Sequence, residues 1–235
     1  MRSATVLVLI LLLSAHSIAA TIISQSPVTG GGNMRWSKLW IDPSPAGNNM
    51  DGDAICYDDF VLSKTTSINH IEWWGDAKPD LGFQIEFWKQ DPGTNAYQPN
   101  GVYREQGAQP EAVFTTTGFT TSTDPSGTTH YSLNLANPIT LAANDTTNPR
   151  WFAAIIGLTD VSGLEWNWAQ GVDSANNSFQ FIRGGNNGGD LFRTLQDGRA
   201  FLLADPTPVS TVPEASSLAG LGIGLASLTY LRRRR

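Results

Sequence analysis

Alternation of apolar and polar residues is the dominant pattern in the central part of the chain. Phe83, Ile85 and Phe87 alternate with polar residues, and the same two-residue period recurs over 131–135 and 164–168. A period of two predicts β-strands with one buried face, and no part of this body keeps the 3.6-residue period of an amphipathic helix. Further strands are predicted over 59–62, 68–74, 112–116, 151–158, 178–182 and 200–203.

Turn-forming residues separate these apolar segments. Clusters rich in Asp, Asn, Pro and Gly occupy 91–93, 124–127 and 184–189. Many short strands joined by such turns predict a sandwich or a barrel. We therefore expect residues 21–205 to form one all-β domain, a jelly-roll-like two-sheet β-sandwich in which each sheet buries one face.

Both ends of the chain differ from this body. Arg2, the apolar run 6–13 and the small residues that follow it predict a signal peptide over 1–20. At the other end, a proline-rich spacer over 206–211 precedes an apolar segment, 215–231, whose 17 residues are close to the minimum for a single transmembrane helix. Terminal arginines keep such a helix oriented with its C-terminus in the cytoplasm, so the body is expected outside the inner membrane.

The C-terminal segment 212–235 resembles the PEP-CTERM sorting signal of Gram-negative bacteria. The resemblance rests on a short Pro-Glu motif, the apolar span and a terminal basic cluster, with Ala215 in place of the family's second proline. It implies retention in the inner membrane, processing by an exosortase and release to the cell surface or the extracellular matrix, usually in organisms that make exopolysaccharide. The alternative is an ordinary membrane anchor. The sorting-motif residues are Val212, Pro213, Glu214, Arg232, Arg233, Arg234 and Arg235.

The body carries a second resemblance. The segments 57–63, 71–75, 83–88 and 200–203 are similar to a β-sandwich domain that commonly precedes PEP-CTERM tails. This resemblance implies a fold and no activity.

Charge and composition exclude several functions. Residues 21–231 hold 10 basic and 21 acidic side chains, a net charge of −11, which repels nucleic acids and attracts cations. Cys56 is the only cysteine, so no intrachain disulfide exists and a small buried residue is expected there. No zinc-protease or nucleophile-elbow motif occurs, and His70 and His130 are interpreted as solvated surface residues.

Two acidic and two aromatic residues suggest a carbohydrate-binding surface. If the strands around 72–74 and 86–88 pair, two carboxylates and two indoles share one face, and such a face suits stacking on sugar rings and binding of their hydroxyls. The alternative is that the indoles only cover a sheet or pack beneath a loop. The candidate ligand-binding residues are Glu72, Trp74, Glu86 and Trp88.

An acidic segment is a candidate for structural calcium. Asn48 and Asn49 stand beside four aspartates around Gly52, and calcium takes six to eight oxygen ligands in such loops. The alternative is a turn-forming loop without a metal. The candidate ligands are Asp51, Asp53, Asp58 and Asp59.

These observations predict an exported, non-enzymatic surface or matrix protein. Its expected partners are an exosortase and the inner membrane during sorting, with exopolysaccharide as the hypothetical ligand and nucleic acid excluded. No cofactor is expected beyond structural calcium. The alternative function is a carbohydrate-active hydrolase or lyase on a jelly-roll scaffold, with Glu72 and Glu86 as its acid and nucleophile.

Overall fold

The body of the chain is almost entirely β-structure. The computed structural model describes residues 20–41, 52–93, 97–100, 108–160, 164–172, 177–186 and 189–205, which form fourteen strands and one short 3-10 helix, Thr29–Gly31. Residues Thr21–Pro206 form one compact unit. The strands are β1 (Ala20–Gln25), β2 (Arg35–Trp36), β3 (Lys38–Trp40), β4 (Ala54–Phe60), β5 (Thr66–Gly75), β6 (Phe83–Lys89), β7 (Ala112–Thr116), β8 (Thr120–Thr123), β9 (Thr129–Leu141), β10 (Trp151–Thr159), β11 (Asn167–Trp168), β12 (Ser178–Asn186), β13 (Gly189–Leu195) and β14 (Phe201–Asp205).

The strands form two sheets. In the first sheet, the order is β1-β14-β5-β11-β2, and β9 joins the other edge of β5 and carries β8. In the second sheet, the order is β13-β12-β4-β3-β10-β6-β7, with β4 also pairing directly with β10. β3 and β10 run parallel, and the other strand pairs whose register is defined run antiparallel. The prediction of an all-β fold with two sheets is confirmed, whereas the jelly-roll strand order stays a prediction.

One apolar core fills the space between the sheets. β5 contributes Ile71 and Trp73 to this core, and β6 contributes Phe83, Ile85 and Phe87. All five are fully buried. These residues are the apolar half of the alternation seen in the sequence, so the two-residue period correctly identifies the face that each strand buries.

A second apolar cluster covers the outer face of the second sheet. β10 is buried along its whole length: Ala153 and Ile155 lie in the core between the sheets, while Phe152 and Ile156 lie in the second cluster. Because neighbouring residues of a strand point to opposite faces, β10 is apolar on both sides. Tyr97 and other half-buried residues pack against this outer cluster.

The single cysteine lies inside the core between the sheets. Cys56 is free and buried, as the sequence predicted. Burial raises the pKa of its thiol to about 11, although the positive charge of Arg199 opposes the shift. The thiol is therefore protonated at neutral pH, and a protonated thiol is a poor nucleophile.

A glycine at the end of β5 makes room for a tryptophan. A Cβ atom at Gly75 would lie 2.5 Å from a ring carbon of Trp166 and 2.6 Å from the carbonyl oxygen of Asn167. Both distances are far below van der Waals contact. Trp166 is buried and meets Phe83 edge to face, with ring centroids 4.9 Å apart. The core therefore depends on the absence of a side chain at Gly75.

Gly75→Ala is expected to lower the free energy of unfolding by about 1–3 kcal/mol, because the new methyl group must displace a packed indole or a backbone carbonyl. The measurement is thermal unfolding followed by circular dichroism. Gly118→Ala is the matched control, since the nearest atom to its Cβ would lie 3.9 Å away. Equal melting temperatures for the two variants would contradict this account of the core.

Candidate functional site

The four residues proposed for carbohydrate binding do not share a surface. β5 belongs to the first sheet and β6 to the second, so the predicted pairing of these strands is wrong. The odd-numbered residues of both segments point into the core between the sheets. Glu72 and Trp74 therefore face outward from one sheet, and Glu86 and Trp88 face outward from the other.

The same topology removes the predicted glycosidase pair. Glu72 and Glu86 would have to flank one glycosidic bond, with their carboxyl groups roughly 5–10 Å apart. The core that fills the space between the sheets separates them instead. The local alternation placed each glutamate correctly on its own strand, but it carried no information on which strands pair.

On the first sheet, the pairing of β5 with β9 assembles a polar surface. The register places three pairs of outward-facing residues opposite each other, and β8 adds a further residue, Ser122, opposite His130. Residues directly opposite each other in a sheet have Cβ atoms about 5 Å apart, so their side chains interact. The three pairs are Trp74 with His130, Glu72 with Ser132, and His70 with Asn134.

Glu72 lies between two histidines in this surface. His70 Nε2 is 2.8 Å from Glu72 Oε1, and His130 Nε2 is 3.0 Å from Glu72 Oε2. The three side chains are 17–23% exposed. We call His70, Glu72 and His130 the histidine–glutamate cluster. Because a carboxylate only accepts hydrogen bonds, each histidine donates from Nε2.

Both histidines make a second contact through Nδ1. His70 Nδ1 is 2.8 Å from the side-chain amide of Asn134, and His130 Nδ1 is 3.3 Å from the hydroxyl oxygen of Ser122. His70 and His130 therefore lie at the surface, but they are only partly exposed and also bind neighbouring side chains. The signal that could have revealed them is the spacing His70-x-Glu72 on one face of a predicted strand, although His130 lies 58 residues further on.

An aromatic stack fixes one end of the cluster. Trp74 lies parallel to the His130 ring, with centroids 4.7 Å apart and an interplanar angle of 14°. Its indole N–H donates to Asp124 Oδ2 at 3.0 Å, and the backbone N–H of Ser126 donates to Asp124 Oδ1 at 2.8 Å. Partial burial alone would raise the pKa of Asp124, but these hydrogen bonds and the nearby His130 lower it below its ordinary value.

On the second sheet, Glu86 and Trp88 line a small cleft between β6, β7 and the segment before β7. The indole N–H of Trp88 donates to Glu86 Oε2 at 2.8 Å, and the Gln84 amide donates to Glu86 Oε1. The cleft has a volume of about 180 Å³. Its lining combines amide, carboxylate and apolar groups, and the lining residues are Gln84, Glu86, Trp88, Ala108, Gln109, Pro110 and Val113.

Neither predicted indole offers a flat face to a ligand. Trp74 is 7% exposed and is stacked on His130, and Trp88 is 1% exposed. The structure therefore does not support carbohydrate binding by stacking on these two rings. Trp36 is a more accessible indole, with 44% exposure, and the ammonium group of Lys38 lies 6.0 Å from its ring centroid.

The candidate calcium ligands are also dispersed. Asp53 Oδ1 accepts a hydrogen bond from the backbone N–H of Trp40. Asp58 and Asp59 are neighbours in β4, so their side chains point to opposite faces of the second sheet and cannot share an ion. Asp51 lies outside the described residues, as do Asn48 and Asn49. In the described part of the chain, no three His, Cys, Asp or Glu side chains form a group that could hold a metal ion.

Asp58 and Asp59 have structural partners instead. Asp58 Oδ2 accepts a hydrogen bond from the backbone N–H of Arg199 at 2.6 Å inside the sandwich. Asp59 Oδ1 accepts from the hydroxyl group of Tyr97 at 2.7 Å, and its Oδ2 lies 3.1 Å from the Arg150 guanidinium. These contacts connect β4 to distant parts of the chain.

Comparison with known proteins identifies one motif in the chain. Residues 211–235 match the PEP-CTERM protein-sorting motif, which confirms the resemblance of the tail. The motif implies membrane-anchored sorting, export to the cell surface and an exosortase as the processing partner. No curated protein and no solved structure matches the chain.

Residues 1–19 of the predicted signal peptide, the sorting-motif residues and the predicted membrane helix lie outside the described residues, whereas Ala20 begins β1. Within the described ranges, no helix has the length and apolar character that crossing a membrane requires.

The buried carboxyl group of Asp58 predicts a pH-dependent contribution to stability. Burial raises the pKa of Asp58 well above its ordinary value of 3.8, although the hydrogen bond from Arg199 opposes the shift. The folded state therefore holds this proton more tightly than the unfolded state, and stability is lost as the pH rises above about 4. The stability of the wild type relative to Asp58→Asn should be greatest near pH 4 and should decrease by up to about 1.4 kcal/mol for each pH unit above it.

Urea unfolding of the two proteins between pH 4 and pH 7 measures this difference. Asp145→Asn is the control, because its carboxyl group is on the surface and its pKa is lowered by hydrogen bonds from Thr147 and Asn148. A constant difference between the wild type and Asp58→Asn over this range would contradict the assignment of Asp58.

Proposed function

We propose that this chain is an exosortase-sorted cell-surface protein. We further propose that the cleft on its second sheet binds a polysaccharide and catalyses no reaction on it. The sorting motif at residues 211–235 supports the surface location. The cleft on the second sheet supports the ligand class, because it brings hydrogen-bonding groups and apolar groups together in a volume of about 180 Å³. Sugar-binding sites combine these two kinds of group.

The polar groups of the cleft are oriented by their own hydrogen bonds. Glu86 is held by Gln84 and by the indole N–H of Trp88, so its carboxylate is fixed at the base of the cleft. Gln109 adds a second amide to the lining, and Val113, which is 51% exposed, stands at its rim. A carboxylate accepts hydrogen bonds from sugar hydroxyls, and an amide side chain both accepts and donates.

The size of the cleft limits the interaction. Its volume suits one sugar residue of a longer polymer and does not enclose an oligosaccharide. A single weak contact becomes effective when many copies on one cell surface meet a repeating polymer, because each bound copy raises the local concentration of ligand for the next. This arrangement fits a protein that is displayed on the surface together with exopolysaccharide.

Val113→Trp is expected to weaken polysaccharide binding at least about 10-fold, because the larger side chain fills the cleft from its rim. Binding is measured by affinity electrophoresis of the purified protein in gels that contain bacterial exopolysaccharides, after a glycan array has selected the best one. Val172→Trp is the matched control, since Val172 is similarly exposed and its backbone N–H bonds to Ser26, next to β1 of the first sheet.

The proposal is supported when polysaccharide in the gel slows the migration of the wild type and of Val172→Trp but not that of Val113→Trp. No retention on any polysaccharide, or equal retention of both variants, would overturn the assignment of the cleft.

Deletion of residues 212–235 is expected to move the protein from the membrane and surface fractions to the soluble periplasmic fraction, because the tail supplies both the membrane anchor and the exosortase motif. Fractionation followed by immunoblotting measures this change. Replacing Arg232, Arg233, Arg234 and Arg235 by glutamine tests the basic cluster alone while keeping the apolar span. A truncated protein that still fractionates with membranes would contradict the role of the tail.

A further inference from the structure

Three polar side chains on the outer face of the first sheet are connected by hydrogen bonds in the order nucleophile, base and carboxylate. Ser122 Oγ is 3.3 Å from His130 Nδ1, and His130 Nε2 is 3.0 Å from Glu72 Oε2. The three residues come from β8, β9 and β5, which are neighbours in the sheet. We propose that Ser122, His130 and Glu72 form a catalytic triad that hydrolyses short acyl esters.

The protonation of His130 follows from its partners. Glu72 accepts the Nε2 hydrogen, so the neutral imidazole has its lone pair on Nδ1, and this atom faces the hydroxyl group of Ser122. A base within hydrogen-bond reach of a hydroxyl, and itself oriented by a third group, is the arrangement that activates a serine. The assignment of the two ring nitrogens differs between known triads, whereas the roles of the three residues are the same.

The surrounding residues hold the base and the carboxylate in place. Trp74 stacks on the His130 ring at 4.7 Å and prevents it from tilting. His70 donates to the second oxygen of Glu72 at 2.8 Å, which fixes the rotation of the carboxylate. Trp74 and His70 are therefore positioning residues. Neither covers Ser122, which is the exposed end of the hydrogen-bonded series.

The position of β8 supplies a donor for the developing negative charge. β8 pairs with β9 on one side, and among the described residues no strand pairs with its other side. Backbone N–H groups along an antiparallel strand point alternately toward the partner and away from it. One of the two N–H groups of Ser122 and Thr123 therefore points outward, where it can stabilise an oxyanion next to Ser122 Oγ.

The reaction needs only the ester and water. Ser122 Oγ forms a bond to the acyl carbon while its proton passes to His130 Nδ1, and the ester C–O bond then breaks as the leaving alcohol takes that proton. Water next attacks the acyl-serine and gives a proton to His130, the bond to Ser122 Oγ breaks, and the carboxylic acid leaves as Ser122 recovers its proton. Glu72 stays ionised and stabilises the imidazolium in both steps.

The exposure of the site defines the class of substrate. Ser122 is exposed on the outer face of the first sheet, and the cleft described above lies on the other sheet. An open face gives no deep pocket for a long acyl chain, but it accommodates an acyl group that projects from a polymer. Short esters, such as acetyl groups, therefore fit the site best.

The experiment treats the purified full-length protein with a fluorophosphonate probe and locates the adduct by peptide mass spectrometry. The probe reacts with activated serines: Ser122 Oγ bonds to phosphorus and fluoride leaves. The expected result is one adduct on Ser122, together with slow hydrolysis of p-nitrophenyl acetate. Ser122→Ala should abolish both, and His130→Gln should lower the labelling rate at least about 100-fold.

Control variants separate this chemistry from damage to the fold. Ser63→Ala removes an exposed loop serine and should label like the wild type. Glu72→Gln should label more slowly, and the inflection of its rate against pH should move to lower pH, because an imidazolium beside a neutral amide is less stable than one beside a carboxylate. Val172→Trp, the control of the cleft experiment, should label like the wild type. Labelling is measured without polysaccharide, so failure of the cleft assignment and failure of the triad are distinguishable.

No adduct on the wild-type protein, an adduct at another serine, or labelling that persists in Ser122→Ala would overturn the proposal. The melting temperature of each variant is measured by circular dichroism. If a variant melts more than 10 °C below the wild type, a second substitution at the same position replaces it: Ser122→Gly for the serine or His130→Asn for the base. Loss of labelling in a variant that melts like the wild type supports the triad.

Discussion

The register between β5 and β9 determines the geometry of the first sheet, and two aromatic stacks fix it. On the inner face, Trp73 stacks on Tyr131 with centroids 5.4 Å apart and an interplanar angle of 7°; on the outer face, Trp74 stacks on His130. A slip of one residue would expose Trp73 and bury Glu72 in the core between the sheets. The same pairing that closes the core therefore also assembles the histidine–glutamate cluster.

The sequence predicted most strands that carry a strong apolar pattern and missed β8, which carries none. The prediction over 112–116 coincides with β7, and that over 68–74 lies within β5. β8 consists of threonine and serine and is exposed along its length, so it carries no apolar alternation from which a strand could be predicted. The predicted strand over 164–168 is largely irregular, because Trp166 is buried by packing against Phe83 rather than by a sheet ladder.

The candidate sites were harder to predict, because each depends on contacts between distant segments. Alternation indicates the face on which Glu72 or Glu86 lies, but not the neighbour of each strand. His130 meets Glu72 across 58 residues of sequence, and Asp58 meets Arg199 across 141. In contrast, the sorting signal lies within one contiguous segment, and for that reason the sequence alone identified it.

The buried position of Cys56 has a consequence for a protein displayed on a cell surface. Outside the cytoplasm the environment is oxidising, and exposed thiols of two molecules can form a disulfide there. Here the chain's only thiol, that of Cys56, lies between two sheets and is protonated. Cys56 therefore does not cross-link one molecule to its neighbour through a disulfide.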